Sequence, residues 1–376
     1  MMAKLEKSLE LRLERLSKAL VDQEKARVIV APERPLSGYW FGGGNMVEAP
    51  DGSLWLSGRY RNAGDSRTGL DLGDRGRELA LFRSEDRGVT WSKVLGLDKK
   101  QLSPDGLEVL SIEGSALRIT GQGTSLYVSS EKRRPYPQEV ASNLKPCTGV
   151  WSIELLSAAS PEALADAQVS TVLWSDDPER LHIKDPFLYA TRCGERFLFF
   201  CHHPYLWSSS NSGYAPLEGG LPGEPDYSFL ERGRTWDVAI SRTTCILDVP
   251  RVGAFAEAQA CSLVFYDGGE CLRSHEEHAE AKRRPRGHSC EELGGVGYFS
   301  GTVEGPTEGA GFGNVERLSA LFPAFVSPWG TGSSRYVTVL ACEEGLYASW
   351  QQSRPDRSQA LVLNMLPMDE VRRMLA

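Results

Sequence analysis

Two acidic residues stand at the same kind of place in the chain. Glu113 lies in Leu110-Ser111-Ile112-Glu113-Gly114-Ser115-Ala116-Leu117, and Asp185 in His182-Ile183-Lys184-Asp185-Pro186-Phe187-Leu188-Tyr189. Each opens an apolar, strand-like run and each is followed by a residue that shapes the backbone, Gly114 or Pro186. Two carboxyl groups flanking a glycosidic bond can cleave it. One protonates the leaving oxygen, and the other acts as base on water or as nucleophile. With phosphate as the attacking group, one acid beside a cationic pocket suffices. Glu113 is the candidate acid and Asp185 the candidate base or transition-state stabiliser. A purely local account also exists for both, a bulge before Gly114 and a turn or strand start at Asp185-Pro186.

Other residues suit the holding of a sugar. Arg59 and Arg61, with Asp65 shortly after, could meet oxyanions, because a planar guanidinium matches carboxylate and phosphate. His182 and Lys184 flank Asp185, although strict alternation puts both on the opposite strand face from it. His202-His203-Pro204-Tyr205-Leu206-Trp207 offers imidazole and aromatic surfaces for hydroxyl contacts and stacking. No acidic or cysteine partner sits at ligand spacing from these histidines, so neither a metal nor another cofactor is expected. Glu257 occupies the corresponding place in a later run, and Arg335-Tyr336 lies near the end of the chain. The run Arg273 to His278 reads as solvated surface.

These groups need elements to position them. Leu5, Leu9, Leu13, Leu16 and Leu20 recur at spacings of four and three, which predicts an amphipathic helix over about 3–26. So short a stripe is expected to dock on the rest of the chain, with a dimer contact through the helix as the alternative. After Arg27, short β-rich runs alternate with Gly, Pro, Asp and Ser turns, dividing the chain into a helix (1–27) and an all-β domain (28–376). Five groups of runs are expected to start near Gly44, Leu110, His182, Val252 and Leu321; six would need a further group. The third group is expected to take Trp236 to Ser241 and Cys245 to Val249 as its outer strands. The stretches 203–233 and 271–294 read as long loops walling a site.

The chain has 376 residues and a formal net charge of −8, which argues against a nucleic-acid partner. No apolar run is long enough to cross a membrane as a helix, and the N-terminal residues show no apolar core of a signal peptide. Cys201, Cys245, Cys261 and Cys342 lie in apolar runs and read as reduced, buried thiols of a cytoplasmic protein.

Arg83-Ser84-Glu85-Asp86-Arg87-Gly88-Val89-Thr90-Trp91 resembles the Asp box of sialidases and related β-propeller proteins, a structural staple at a blade rim. Ile112-Glu113-Gly114-Ser115 and Lys184-Asp185-Pro186-Phe187 resemble strand starts of five-bladed arabinanase-type glycosidases and mannoside phosphorylases. The order Gly58-Arg59, an acidic loop residue at Asp65, then the box is similar to sialidases, and Arg335-Tyr336 could supply part of their late Arg and Tyr pair. Where sialidases carry Arg-Ile-Pro, however, this chain has Trp40-Phe41-Gly42-Gly43-Gly44. The resemblance implies an all-β fold, a β-propeller of five blades (six as the alternative) with an N-terminal helix; a β-sandwich is the competing fold. It implies a glycosidase acting on a small oligosaccharide or anionic sugar. A glycoside phosphorylase and a catalytically silent sugar-binding propeller are the alternatives.

Overall fold

Runs of alternating polarity between tight turns pair into antiparallel sheets throughout the chain. The computed structural model describes residues 4–63, 73–144, 147–205, 209–256, 260–270, 292–300, 312 and 314–376. Helix α1 (Lys7–Leu20) is shorter than the leucine stripe suggests. Leu13, Leu16 and Leu20 are fully buried against the β domain, so the helix docks. Its Glu10 reaches the Tyr298 hydroxyl at 2.9 Å.

The first group opens with β1 (Arg27–Val30), which pairs elsewhere, and continues through β2 (Trp40–Gly42), β3 (Met46–Glu48), β4 (Leu54–Arg61), β5 (Gly76–Ser84) and β6 (Ser92–Asp98). β2 and β3 share one partner, β4, so together they form an interrupted inner strand. The second group is β7 (Val109–Thr120), β8 (Gly123–Lys132), β9 (Val150–Ala158) and β10 (Ser170–Leu173). The third is β11 (Leu181–Ala190), β12 (Arg196–His203), β13 (Asn211–Glu218), β14 (Leu221–Pro222) and β15 (Asp226–Leu230). The fourth is β16 (Ile240–Asp248), β17 (Cys261–Gly269), β18 (Leu293–Ser300) and β19 (Glu316–Arg317). The fifth is β20 (Ser334–Cys342), β21 (Gly345–Ser353) and β22 (Gln359–Pro367), with β1 added to β22 as its outer strand. Helix α2 (Met368–Leu375) then packs on α1 and β21. The architecture is an all-β propeller.

The first strands of the groups touch one another in sequence around a common axis, β2/β3 to β7, β11, β16 and β20, and β20 returns to β3. Ser115 N–H donates to Gly43 O at 2.7 Å and Thr244 Oγ1 to Val337 O at 2.7 Å across such boundaries. Apolar clusters fill the spaces between neighbouring sheets.

Three expectations about the strands need correction. The third group takes its outer strands from 211–230, inside the stretch read as a loop; Ser212 and Tyr214 there pair with β15. The fourth group begins with one continuous strand at Ile240, and 253–255 is only a short helical turn. The fifth begins at Ser334, and Leu321 and Phe322 lie exposed in the preceding loop. In each case a polar or bulged strand was less visible than an apolar stretch beside it.

The turn at 84–91 is tied by its own side chains. Ser84 Oγ donates to Asp86 Oδ1 (2.8 Å), Thr90 N–H to Asp86 Oδ1 (2.8 Å), and Gly88 adopts φ 85°. It joins β5 to β6, at the opposite end of the sheets from the starts of the inner strands.

Candidate active site

Inner strands β7, β11, β16 and β20 each break register at nearly the same depth. The shifts fall between Ile112 and Ser115, Lys184 and Phe187, Thr243 and Cys245, and Arg335 and Thr338. Such bulges insert a residue and re-aim side chains. Asp185 and Tyr336 occupy them with φ 55°, a costly conformation for residues other than glycine. Glu113, Asp185 and Tyr336 all lie within these shifts, and alternation therefore fails here. Lys184 Nζ lies 3.6 Å from Asp185 Oδ2 rather than on the far face of the strand.

Asp185 is the hub. Oδ1 accepts from Gly114 N–H at 3.1 Å and from the Tyr336 hydroxyl at 3.2 Å. Oδ2 accepts from Arg242 Nη1 at 3.1 Å and Cys201 Sγ at 3.5 Å. The bond from Gly114 ties the Glu113 strand to Asp185. Gly114 is required by packing, since a Cβ there would lie 2.7 Å from Asp185 Oδ1. Glu113 is held in bidentate fashion by Arg59, with Nε at 3.2 Å and Nη2 at 2.9 Å.

Arg242 links Asp185 to Asp267 (2.7 Å) and to Glu292 (2.5 Å), and Arg335 Nη1 meets Glu292 at 2.6 Å. Arg335 and Arg61 lie over the Trp40 ring, at 4.5 and 4.7 Å from its centroid. Arg242 lies over Tyr336 at 4.2 Å and Arg59 at 5.4 Å. Gly42, Gly43 and Gly44 let neighbouring groups pack closely on the first group's inner strand: a Cβ at Gly43 would lie 3.2 Å from Arg59 Nη1, and one at Gly42 would lie 2.8 Å from Gln351 Oε1.

Burial raises the pKa of Glu113, but Arg59, with Lys184 and Arg61, overcomes it and holds the carboxyl far below its ordinary value. Glu292 is likewise held well below, by Arg242 and Arg335 against its burial. Asp267, wholly buried, is pushed up to about 6 despite Arg242. Burial draws Arg61 down to about 10, with Arg59, Arg75 and Arg335 repelling it while Glu113 opposes. Burial works against the charge on Lys184, yet Asp185 and Glu113 raise its pKa. Among the described residues, Arg59, Arg61, Lys184, Arg242 and Arg335 face Glu113, Asp185, Asp267 and Glu292.

Of the residues singled out in the sequence, Glu113, Asp185, Arg59, Arg61, Lys184 and Arg335 converge here. His203 stands one step back, 3.8 Å from the Cys201 sulfur. His182 is buried between Tyr136 and His203. His202 faces away, its Nε2 3.1 Å from Tyr227 O, and burial lowers its pKa to about 4. Asp65 and Glu257 lie outside the described residues. Arg242, Asp267, Glu292 and Trp40 were missed, and Tyr336 was noticed only as the neighbour of Arg335. Ser241-Arg242-Thr243 carries a cation inside a polar β-run, a signal that the divided strand concealed. No metal-binding group of His, Cys, Asp and Glu occurs among the described residues.

No family model matches the chain, and no curated protein does. Solved structures do resemble it. The α-L-arabinofuranosidase from Lactobacillus brevis aligns with a TM-score of 0.57 at 8% identity, over 89% of this chain and 92% of that one. A thermostable family-43 glycoside hydrolase aligns with a TM-score of 0.56 at 12% identity, over 89% and 92%. The GH43_1 enzyme from Xanthomonas citri complexed with xylotriose aligns with a TM-score of 0.53 at 9% identity, over 96% and 93%. At these identities the likeness is one of fold, and it is to β-propeller glycoside hydrolases.

Proposed function

We propose that the chain is a carbohydrate-active enzyme that cleaves a glycosidic bond at the bulged end of its channel. The observation that carries this reading is the placement of Glu113 and Asp185 on adjacent inner strands, joined by the Gly114–Asp185 bond. Glycoside hydrolases with the same fold support it. The five strand groups are read as five blades, with the resemblance to sialidases limited to the turn at 84–91 and the Arg59 region.

The charge state refines the roles. Glu113, ionised against Arg59, is set to act as base or to stabilise an oxocarbenium-like transition state rather than to give up a proton. One protonated group on Asp185, beside the Cys201 thiol, is Tyr336, whose hydroxyl donates to it. Burial, with Asp185 and Glu113, keeps its pKa well above the ordinary value against Arg242, so it is neutral and holds its proton in the hydrogen bond to Asp185. Phosphorolysis is the second reading, favoured by the cations Arg59, Lys184, Arg242 and Arg335 set among the carboxylates.

The test is product release from aryl xylosides, aryl arabinosides and short oligosaccharides, with and without inorganic phosphate. Wild-type turnover should fall about 10²–10⁴-fold in Glu113→Gln and in Asp185→Asn. A strict need for phosphate would assign phosphorolysis. Turnover unchanged in both variants would remove the site assignment. Sugar binding without turnover would leave a binding propeller.

A further inference from the structure

Strand β8 carries Ser129 at the point where the register of β7 breaks. Ile112 pairs with Ser130 and Ser115 with Val128, so Ser129 alone stands opposite both Glu113 and Gly114. A bulge of this kind takes backbone groups out of the ladder, and buried ones then need side-chain partners. Ser129 is fully buried, and its hydroxyl is used in both directions. Its Oγ donates to Gly114 O at 3.0 Å and accepts the Asp185 N–H at 3.2 Å. Gly114 N–H in turn donates to Asp185 Oδ1 at 3.1 Å. Three bonds thus close a ring through β7, β8 and β11, and the ring holds Asp185 itself and the residue that follows Glu113. Asp185 keeps φ 55°, a conformation that persists only where the surroundings enforce it. The next two bulges are caught in the same way. Thr243 N–H donates to Ser212 Oγ at 2.7 Å, and Tyr336 N–H to the Asp267 carboxylate at 3.0 Å. In all three cases the acceptor is a side chain on the strand group before the bulge.

We propose that Ser129 is a positioning residue, which holds Asp185 in its left-handed conformation and so fixes the Asp185 carboxylate against the Glu113 strand. This rests on the reading of Glu113 and Asp185 as the pair that cleaves the glycosidic bond. Alanine at 129 leaves the pairing of that position with Ile153 intact. It removes the donor to Gly114 O and the acceptor for Asp185 N–H together. Asp185 is then free to relax from φ 55° toward an extended conformation, which carries its carboxylate away from Gly114 N–H.

Steady-state kinetics of the full chain on the glycosides that the wild type turns over, with urea unfolding of the same proteins, tests it. Ser129→Ala should lower kcat about ten- to a hundredfold while KM changes less than about threefold, the signature of a displaced reacting group rather than of lost sugar binding. Ser129→Cys, close in volume but a weak donor and acceptor, should fall between the wild type and Ser129→Ala. In an Asp185→Asn background Ser129→Ala should cost kcat little more, because Ser129 acts through that carboxylate. Wild-type kcat in folded Ser129→Ala, or a loss that repeats in full in the Asp185→Asn background, would overturn the proposal and leave the glycosidase reading standing. If the wild type turns over no glycoside, the glycosidase reading falls and unfolding decides. The double variant should then lower the urea midpoint by less than the sum of the two single losses, and additive losses would overturn the proposal. If Ser129→Ala does not fold, Ser129→Cys takes its place in both measurements.

Discussion

Removing Arg59 isolates the electrostatics of the site. Arg59 has no exposed surface, and its partner Glu113 is only 8% exposed. In Arg59→Met the methionine fills much of the space but leaves Glu113 buried without its bidentate cation. Breaking a buried pair from one side costs about 3–5 kcal/mol. The lower end applies here, because Lys184 and Arg61 still act on Glu113. Lost bonds from Arg59 to Gly42 O and Gln351 Oε1 add to the cost. The penalty must depend on pH. In the wild type the Glu113 pKa is depressed below its ordinary 4.5, so its stabilising contribution is complete above that value and is lost as pH falls through the lower folded pKa. In Arg59→Met burial becomes the leading influence and raises the folded pKa. The variant then gains relative stability as pH falls from 8 to 5, because protonation relieves the buried charge. Urea unfolding of wild type, Arg59→Met, Glu113→Gln and the double variant at pH 8 and pH 5 measures all of this. The double variant should be more stable than Arg59→Met alone at pH 8. A loss below about 1 kcal/mol at pH 8, the level of an exposed pair, would refute the reasoning; so would a loss that does not shrink at pH 5.

Three further variants divide chemistry from scaffold. Tyr336→Phe removes the donor to Asp185 and should lower turnover about 10²–10⁴-fold, with a stability change of only about 0.5–1.5 kcal/mol, read by kinetics and urea unfolding together. Gly114→Ala places a methyl 2.7 Å from Asp185 Oδ1 and should lower kcat by displacing that carboxylate, while the circular dichroism spectrum stays that of the wild type. Asp86→Ala unties the turn at 84–91, remote from the site, and should lower the melting temperature with kcat/KM unchanged.

The fold was legible where a repeating physical constraint wrote itself into residue types. The leucine stripe had to become a docked helix because its apolar face needs cover. Strand groups two and three were visible because their inner strands alternate apolar residues around Ile112 and Phe187. Group four was hidden because β16, Ile240–Asp248, carries Ser241, Arg242, Thr243 and Thr244 in succession. Those residues are buried by contacts with other groups rather than by their own polarity. The pairing of β1 with β22 joins residues more than 300 positions apart, and nothing local in Arg27–Val30 announces it.

The site was half legible for a related reason. A carboxylate before Gly or Pro marks a backbone irregularity, and Glu113 and Asp185 were found through it. Alternation then misplaced Lys184, because it assumes an unbroken register, whereas a bulge between Lys184 and Phe187 turns neighbouring side chains toward one another. Of the residues that were missed, Asp267 and Glu292 carry no local oddity, and the cation in the polar run at Arg242 was concealed by the divided strand. They become a site only when β16, β17 and the start of β18 converge on Asp185. Each carboxylate there is made tolerable by a guanidinium from another strand: Glu113 by Arg59, Asp185 and Asp267 by Arg242, Glu292 by Arg242 and Arg335. The buried network thus ties the sheets together through charge.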